Sequence, residues 1–341
     1  MSTLGVVISC YRQERYLART VAALERALEG REWRGVLEIA APSDAALPAL
    51  SPHWTVIVST EPGTGELKRA LTPGAGRMTG FHACGGEWVL FLDSDMELDR
   101  AWVDAALAAA QREPALAGIG GRIEEWFTDG AAERPGKHDM YGSGDRDHAV
   151  GYLANVALYR RAALEAAGGY NEWLHSDEDF ELGLKLGFLG LEIRVLGMRA
   201  GRHWSAPRPS FPELTRRWRT GLCFGQGEVL RLYFGRRGMG TLLRRQWLYI
   251  ATMGLWTLGI AALVYAVASS RASVFLAWTA LALALLLFMA LRKRSLRLAV
   301  HSILTWTLNG AGMVAGFFRA PPAAARPTLA MPRHESRGAG C

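Results

Sequence analysis

Two long apolar stretches near the carboxyl end constrain the fold of this chain more than any other feature. Residues 247–268 and 274–291 contain no Asp, Glu, Lys or Arg. A helix needs about 20 apolar residues to cross the hydrocarbon core of a bilayer, so the first stretch is long enough and the second just long enough. A buried helical hairpin in a soluble protein would need an apolar partner surface that the remaining sequence hardly offers. We therefore predict two membrane-spanning helices.

A third apolar stretch, residues 298–318, carries His301 and Asn309. These polar side chains leave three structures open: a membrane span, a re-entrant segment or a helix on the membrane surface. The tail that follows, residues 319–341, is rich in Pro and Ala and is expected to be disordered.

The distribution of positive charge favours a membrane over nucleic acid as a partner. The formal net charge is +7, and the arginines flank the apolar stretches instead of forming an isolated basic face. Only Arg271 lies between the two stretches, so the excess of Lys and Arg expected of cytoplasmic loops puts both flanking clusters in the cytoplasm. The clusters are Arg231, Arg236, Arg237, Arg244 and Arg245 before the first stretch, and Arg292, Lys293, Arg294 and Arg297 after the second.

The first residues and the cysteines bear on the cellular compartment. The segment MSTLGVVISC has no basic region before its apolar run, which predicts a β-strand and not a signal peptide. The four cysteines are scattered without a C-x-x-C pair, so neither a zinc site nor a disulfide framework is indicated. We expect a multi-pass protein of the inner or plasma membrane, with its amino-terminal domain in the cytoplasm.

Strand-like and helical patterns alternate over the first half of the chain. Apolar runs at 6–9, 36–39, 55–58 and 87–92 read as strands, and residues 14–28 have helical spacing. This alternation predicts an α/β fold with a doubly wound sheet, whose ligands lie beyond the carboxyl ends of the strands. The run 87–92 is typical of a buried central strand, and it ends in Asp93-Ser94-Asp95. Residues 121–150 lack periodicity and are expected to form a mobile loop over the site.

Three segments carry a resemblance to a known family. In chain order they are GVVISCYRQERYLARTVAAL, GEWVLFLDSDMELDRAWV and GYNEWLHSDEDFELGLKLGFLG. Together they resemble the landmark segments of the inverting family 2 glycosyltransferases of GT-A fold. The resemblance implies a nucleotide-sugar-binding catalytic domain with a mostly parallel sheet over residues 1–230. A basic juxtamembrane segment (231–246), a membrane region of two to three helices (247–318) and the tail (319–341) would follow.

The implied activity is metal-dependent transfer of a sugar, with inversion, from a nucleotide-sugar donor to a lipid-linked or membrane-proximal glycan acceptor. A hard ion such as Mg²⁺ or Mn²⁺, held by one or two carboxylates and the phosphate oxygens, stabilises a leaving diphosphate. The resemblance puts the metal most directly on Asp95, with Asp93 near the ribose or a metal-bound water, and makes His203 a further candidate ligand. Alternatively, the two aspartates form an acidic turn that caps a helix at 96–102, which accounts for only one of them.

A direct displacement also needs a base that takes the proton of the acceptor hydroxyl. The pair Glu178-Asp179 aligns with the E-D signature of the family, which makes Asp179 the expected base. A carboxylate at the start of a helix is also a good helix cap. Asp177 is the nearest competitor if the alignment slips.

Five further residues are candidates for binding the donor. Arg77 and Lys68 are cations placed to contact a diphosphate. The family usually ends its second strand with acidic residues that read the nucleobase, whereas this chain has Ala40-Ala41 there and Asp44 a little later. The nucleobase is therefore left open. The candidates are Arg77, Lys68, Asp44, Tyr11 and Glu14.

Two alternatives come from other functional classes. A degenerate member would bind nucleotide or glycan without catalysis and serve as a membrane scaffold. A nucleotidyltransferase would need a glycine-rich basic loop after the first strand, and residues 9–13 do not supply one. Leu214 stands where the Q-x-x-R-W motif of processive synthases has glutamine, which disfavours synthesis of long polymers.

Overall fold

A computed structural model describes residues 4–10, 14–39, 47–59, 72–129, 132–206, 211–319 and 333–334. By internal packing the chain divides into two compact units. The first comprises Met1–Leu174, Glu178–Pro207 and Pro322–Cys341, and the second comprises His175–Asp177 and Arg208–Pro321. This division by packing does not test the functional boundary predicted at residue 230.

The first unit is an α/β domain. Its strands are β1 (Leu4–Cys10), β2 (Trp33–Ile39), β3 (Trp54–Val58), β4 (Trp88–Asp93), β5 (Met96–Leu98), β6 (Leu116–Asp129), β7 (Ala132–Pro135), β8 (His148–Ala149), β9 (Val156–Arg160), β10 (Glu192–Ser205) and β11 (Arg333–His334). Its helices are α1 (Glu14–Ala27), α2 (Pro73–Ala83), α3 (Arg100–Arg112), α4 (Arg161–Ala167) and α5 (Glu178–Phe188).

The strands form one mixed sheet in the order β11-β3-β2-β1-β4-β9-β6-β10-β5, with β7 paired to β6 and β8 to β10. β3, β2, β1 and β4 run parallel, and so do β6 and β10. The α/β class and the mostly parallel central sheet are thus confirmed. β9 reverses direction between β4 and β6, because it is antiparallel to both. The short strand β11 brings two residues of the tail, predicted to be disordered, against β3.

Helices cover both faces of the sheet, and this explains the unbroken apolar runs of its central strands. In β1, Val6 and Ile8 belong to one buried cluster together with residues of α1 and α3. Val7, which points to the other face, packs in a second cluster with residues of α2 and α5. Polar side chains, Ser9 in β1 and Asp93 in β4, lie at or next to the carboxyl ends of these two strands.

The predicted mobile loop over residues 121–150 is wrong in its first part, since β6 continues to Asp129 and pairs there with β10 and β7. Glycines account for the error. Added Cβ atoms at Gly120 and Gly121 would press on Leu153 and Trp102, so these glycines are required by packing within a strand. The alternative of a helix capped at residues 96–102 also fails. Those residues begin with β5, and α3 is capped by Asp99, whose side chain accepts from the Ala101 amide at 3.0 Å.

The second unit is helical. It contains α6 (Phe211–Arg219), α7 (Gly225–Leu232), α8 (Met239–Arg245), α9 (Trp247–Ser269), α10 (Ser273–Lys293) and α11 (Leu296–Phe318). α9 and α10 are long and apolar enough to cross a membrane, and only 11% and 6% of their apolar stretches are buried in the structure. α11 instead packs closely on α7 through glycines. A Cβ at Gly227 would overlap the Met313 carbonyl oxygen, and one at Gly316 would overlap the carbonyl oxygen of Phe224.

Candidate active site

A buried arginine lies at the centre of the candidate site. Arg77 is 8% exposed, and its guanidinium donates to Glu178 Oε1 at 2.5 Å and to Asp93 Oδ1 at 2.8 Å. Asp179 Oδ1 lies 3.3 Å from the same guanidinium. Burial alone would lower the pKa of Arg77, but Asp179, Asp93 and Glu178 together hold it well above its usual value. One permanent cation therefore holds three carboxylates that come from β4 and α5.

Glycines on α2 set the position of Arg77. The helix starts at Pro73, and the Thr72 hydroxyl caps it by accepting from the Ala75 amide at 3.1 Å. Gly76 and Gly80, one helical turn apart, lie directly on Ser9 and Val7 of β1. A side chain at either position would push α2 off the sheet. The close approach brings the intervening Arg77 to the carboxyl edge of the strands.

Asp93, the last residue of β4, is held from a second side by Asn155. The Asn155 amide donates to Asp93 Oδ2 at 2.8 Å, and the Asp93 backbone amide donates to the Asn155 carbonyl at 2.9 Å. Asn155 has a φ of 61°, a left-handed conformation that asparagine tolerates better than most residues. The Tyr141 hydroxyl in turn donates to Asn155 Oδ1. These contacts fix both oxygens of Asp93, one by Arg77 and one by Asn155.

Asp95 and His203 form a second pair beside this group. Both residues are buried, and His203 Nε2 lies 3.2 Å from Asp95 Oδ2. The antiparallel pairing of β5 with β10 sets His203 opposite Met96, and the Trp204 amide donates to the Asp95 carbonyl at 2.8 Å. Asp95 Oδ1 is buried and has no hydrogen-bond partner among the described residues. An unsatisfied buried carboxylate oxygen next to an imidazole is a donor set that a divalent cation would complete.

The protein by itself supplies only a partial metal site. Within the described ranges, no three His, Cys, Asp or Glu side chains are grouped so that they could hold a metal ion. Mg²⁺ in phosphate-transfer sites is commonly held by one or two carboxylates, the substrate phosphates and water. The two-residue set of Asp95 and His203 fits that pattern.

Glu178 and Asp179 start α5, whereas Asp177 belongs to the packing of the second unit. Asp177 has a φ of 62° and lies 3.5 Å from Arg245. Burial raises the pKa of Asp177 despite the opposing charges of Arg245 and Arg217. The ion pairs of Arg77 thus include Asp179, one of the two candidate bases.

Glu38 is a buried acid that is not among the predicted site residues. It lies in β2, fully enclosed, and accepts from the Ser9 hydroxyl at 2.7 Å. Burial raises its pKa, and hydrogen bonds from Ser9 and Ser59 oppose the shift. These three residues come from the adjacent parallel strands β1 and β2 and the end of β3.

Several predicted donor-binding residues fall where the structure gives no side-chain account. Tyr11, Asp44 and Lys68 lie outside the described residues. Glu14 begins α1, and nothing is described of its side chain. Their roles stay predictions.

Asn155 and Tyr141 are the site residues that sequence reasoning missed. Asn155 is a lone amide at the start of the apolar run Val156-Ala157-Leu158, a signal that could have raised it as a candidate. Tyr141 lies in the segment interpreted as a mobile loop, and no local pattern marks it.

Comparison with known proteins gives a consistent result. Residues 66–168 match the sequence profile described as glycosyl transferase family 2. The pre-mycofactocin glycosyltransferases of two Mycobacterium tuberculosis strains, CDC 1551 / Oshkosh and ATCC 25618 / H37Rv, are each 31% identical over 132 residues. The match covers 36% of this chain and only 28% of the length of those relatives.

The solved structure of a mannosyltransferase shares the fold. The mannosyltransferase PcManGT from Pyrobaculum calidifontis, solved in complex with GDP-Man and Mn²⁺, superposes with a TM-score of 0.55 at 17% identity. The superposition covers 92% of this chain and 86% of that chain. TarS 1-349 from S. aureus, in complex with UDP-GlcNAc, gives a TM-score of 0.45 at 21% identity over 61% of this chain and 59% of that chain. The likeness to PcManGT shows that the first unit has the GT-A arrangement.

Proposed function

Because the chain belongs to the family 2 glycosyltransferases, we propose that it transfers a sugar from a nucleotide-sugar donor to a hydroxyl group of a lipid-linked or membrane-proximal glycan. The transfer inverts the configuration at the anomeric carbon and uses a divalent metal ion. The observation that carries this proposal is the group of Asp93, Glu178 and Asp179 around Arg77, with Asp95 and His203 beside it.

The proposed reaction is a single displacement. The acceptor hydroxyl oxygen forms a bond to the anomeric carbon while its proton passes to the Asp179 carboxylate. The bond between that carbon and the diphosphate oxygen breaks, and the nucleoside diphosphate leaves with the electron pair. Arg77 supports this step because its rigid guanidinium orients Asp179 and Asp93 together. Glu178, buried against the same guanidinium, fixes the start of α5 that carries the base.

Asp95 and His203 are the residues that would hold the ion. The unsatisfied Asp95 Oδ1 and the adjacent imidazole support this assignment. A bound ion would stabilise the charge of the departing diphosphate. The Mn²⁺ and GDP-Man in the structure of PcManGT, which shares the fold, agree with a divalent ion and a nucleotide-sugar donor.

The membrane part of the proposal assigns α9 and α10 as a hairpin anchor, with the catalytic unit in the cytoplasm. Its support is the length, low charge and exposure of these helices. Charge is also divided along the chain. Residues 1–206 carry 29 acidic and 21 basic residues, whereas residues 207–341 carry three acidic and 18 basic residues. A basic segment with few acids suits the anionic cytoplasmic leaflet.

The test uses the purified full-length protein and a panel of nucleotide sugars with Mn²⁺ or Mg²⁺. We expect hydrolysis of at least one donor, and binding of the matching nucleoside diphosphate, measured by calorimetry, that is lost with EDTA. Replacing a metal ligand typically weakens metal binding by at least about tenfold, so Asp95→Asn should lose most of the metal-dependent affinity. Asp104→Asn, which changes an aspartate on α3 paired with Arg31, is the matched control.

Two results would contradict the proposal. Equal nucleotide affinity with and without EDTA would show that nucleotide binding does not depend on a metal ion. Tight, metal-dependent nucleotide binding without turnover of any donor would favour the non-catalytic scaffold.

A further inference from the structure

A cleft of about 250 Å³ lies in the first unit, beside the carboxylate group. Its floor is formed by Gly120 and Gly121 of β6 and Val195 of β10, and its walls by residues 141–143 and 148–154. Part of this space depends on the missing side chain of Gly120. A larger side chain at Gly120 would collide with Leu153, another lining residue.

Two tyrosines on the cleft wall connect it to both sides of the proposed reaction centre. The Tyr141 hydroxyl donates to Asn155, which holds Asp93. The Tyr152 ring meets Phe180 edge-on at 5.7 Å, and Phe180 directly follows Asp179. Tyr141 thus links the cleft to Asn155, which holds Asp93, and Tyr152 links it to Phe180, which follows the proposed base.

The Tyr141 hydroxyl lies close to Asp93, because it donates to the Asn155 side chain that itself donates to Asp93. Desolvation, followed by the charges of Asp93 and Asp179, raises the pKa of Tyr141 above its ordinary value. The residue as a whole is 46% exposed and lines the cleft.

The lining determines which ligands are compatible with the cleft. No arginine or lysine is among the described residues that line it, and the basic side chain there is His148, whose Nδ1 lies 2.9 Å from the Arg146 carbonyl oxygen. An anionic ligand would lose hydration there without gaining the permanent charge of an arginine or lysine, and it would also face the carboxylates nearby. Glycines and tyrosines offer flat surfaces, backbone groups and hydroxyls, which suit a neutral ring that carries hydroxyl groups.

We propose that this cleft binds the reacting end of the acceptor, and that this end is an uncharged, hydroxyl-bearing ring, not a phosphorylated or otherwise anionic group. The inference rests on the proposed glycosyl transfer and adds the chemical class of its acceptor. A lipid-linked acceptor fits only if its reacting hydroxyl belongs to a neutral ring beyond the lipid phosphate.

The test compares matched acceptors with the full-length protein and the donor found in the hydrolysis screen. One pair is 4-nitrophenyl β-D-glucopyranoside and its 6-phosphate, and the other is N-acetyltyrosinamide and N-acetyltyrosine. Undecaprenyl phosphate is a third, anionic acceptor. For whichever ring is used, we expect kcat/KM for the neutral member to exceed that of its anionic counterpart by at least about tenfold, as for a charge desolvated without a partner.

A substitution in the lining separates charge from shape. Ser143→Arg adds a cation to the cleft wall and should reduce the preference for the neutral acceptor, whereas Ser143→Gln, which adds similar bulk without charge, should not. Equal or better transfer to the anionic members by the wild-type protein would overturn the inference. So would donor hydrolysis without transfer to either neutral ring. Absence of donor hydrolysis would instead overturn the proposed function.

Discussion

Arg77 explains how three carboxylates can share a small, largely buried space. Without a counter-charge, ionised groups at this separation would repel one another and at least one would take up a proton. Arginine is always charged, and its planar fork can contact several carboxylates simultaneously. The charge of Arg77 thereby offsets the repulsion among the three carboxylates.

Asp179→Asn tests the base directly. The amide keeps the shape of the side chain but cannot accept a proton at neutral pH, so we expect sugar transfer to fall by about a hundredfold or more. Donor binding should change little, because the base acts on the acceptor. Transfer rates and donor affinity measured on the same preparations separate chemistry from folding.

Asp177→Asn is the matched control, since asparagine tolerates the left-handed backbone at this position. If Asp177→Asn lost transfer while Asp179→Asn retained it, the base would be Asp177 and not Asp179. Full activity in both variants would place the base elsewhere in the molecule.

Glu38 makes stability depend on pH. Burial raises its pKa above the ordinary 4.5. As pH rises from that value through the folded-state pKa, the unfolded chain therefore releases this proton before the folded protein does, and the folded state loses stability. Glu38→Gln resembles the protonated acid and should remove this part of the loss. Unfolding midpoints of the two proteins from about pH 5 to 8 should diverge as pH rises, and parallel curves would rule out the effect.

At the scale of elements, the strands and helices that are buried on a full face were predictable from sequence. The predicted strand 6–9 lies within β1, and the predicted strand 87–92 lies within β4 apart from Glu87. The predicted helix 14–28 coincides with α1 apart from Leu28. Burial on both faces demands continuous apolar residues, so local sequence is sufficient in β1 and β4. β6 was not predictable, because its glycines are required by packing against Leu153 and Trp102, which are distant in sequence.

The candidate site shows the same limit. Its aspartates follow a recognisable strand, and family resemblance indicated Arg77 and His203. Asn155 and Asp93 are 62 positions apart in sequence. Their contact depends on the antiparallel pairing of β4 and β9. Only tertiary structure brings these two residues together.

The contact between α7 and α11 has a simple test. Gly227→Ala would place a methyl group against the Met313 carbonyl, and overpacking of this kind costs about 1–3 kcal/mol. Gly254→Ala, in α9, meets no atom within 4 Å and should be neutral or slightly stabilising. Thermal unfolding of the two variants in detergent compares them. A Gly227→Ala protein as stable as Gly254→Ala would show that the two helices are not in close contact.

At the scale of the whole molecule, the distribution of Lys and Arg predicts how the hairpin of α9 and α10 is oriented in the membrane. The described part of the second unit, residues 211–319 with 175–177, includes 14 Lys and Arg residues, of which only Arg271 lies in the short connection between α9 and α10. The basic ends of the hairpin should therefore stay in the cytoplasm, and the connection should cross the bilayer. Carbonate washing should leave the full-length protein in the membrane pellet.

The orientation of the hairpin is tested by cysteine labelling. Cys10, Cys84 and Cys223 are buried, so Cys341→Ser supplies a suitable background. In that background, Ala272→Cys introduces a thiol between α9 and α10, and Ser295→Cys introduces one between α10 and α11. A membrane-impermeant maleimide added to intact cells should label the first variant, because its thiol lies outside the cytoplasm. It should label the second only after the membrane is permeabilised. If only Ser295→Cys were labelled in intact cells, the hairpin would have the opposite orientation. If both variants were labelled, α10 would not span the membrane.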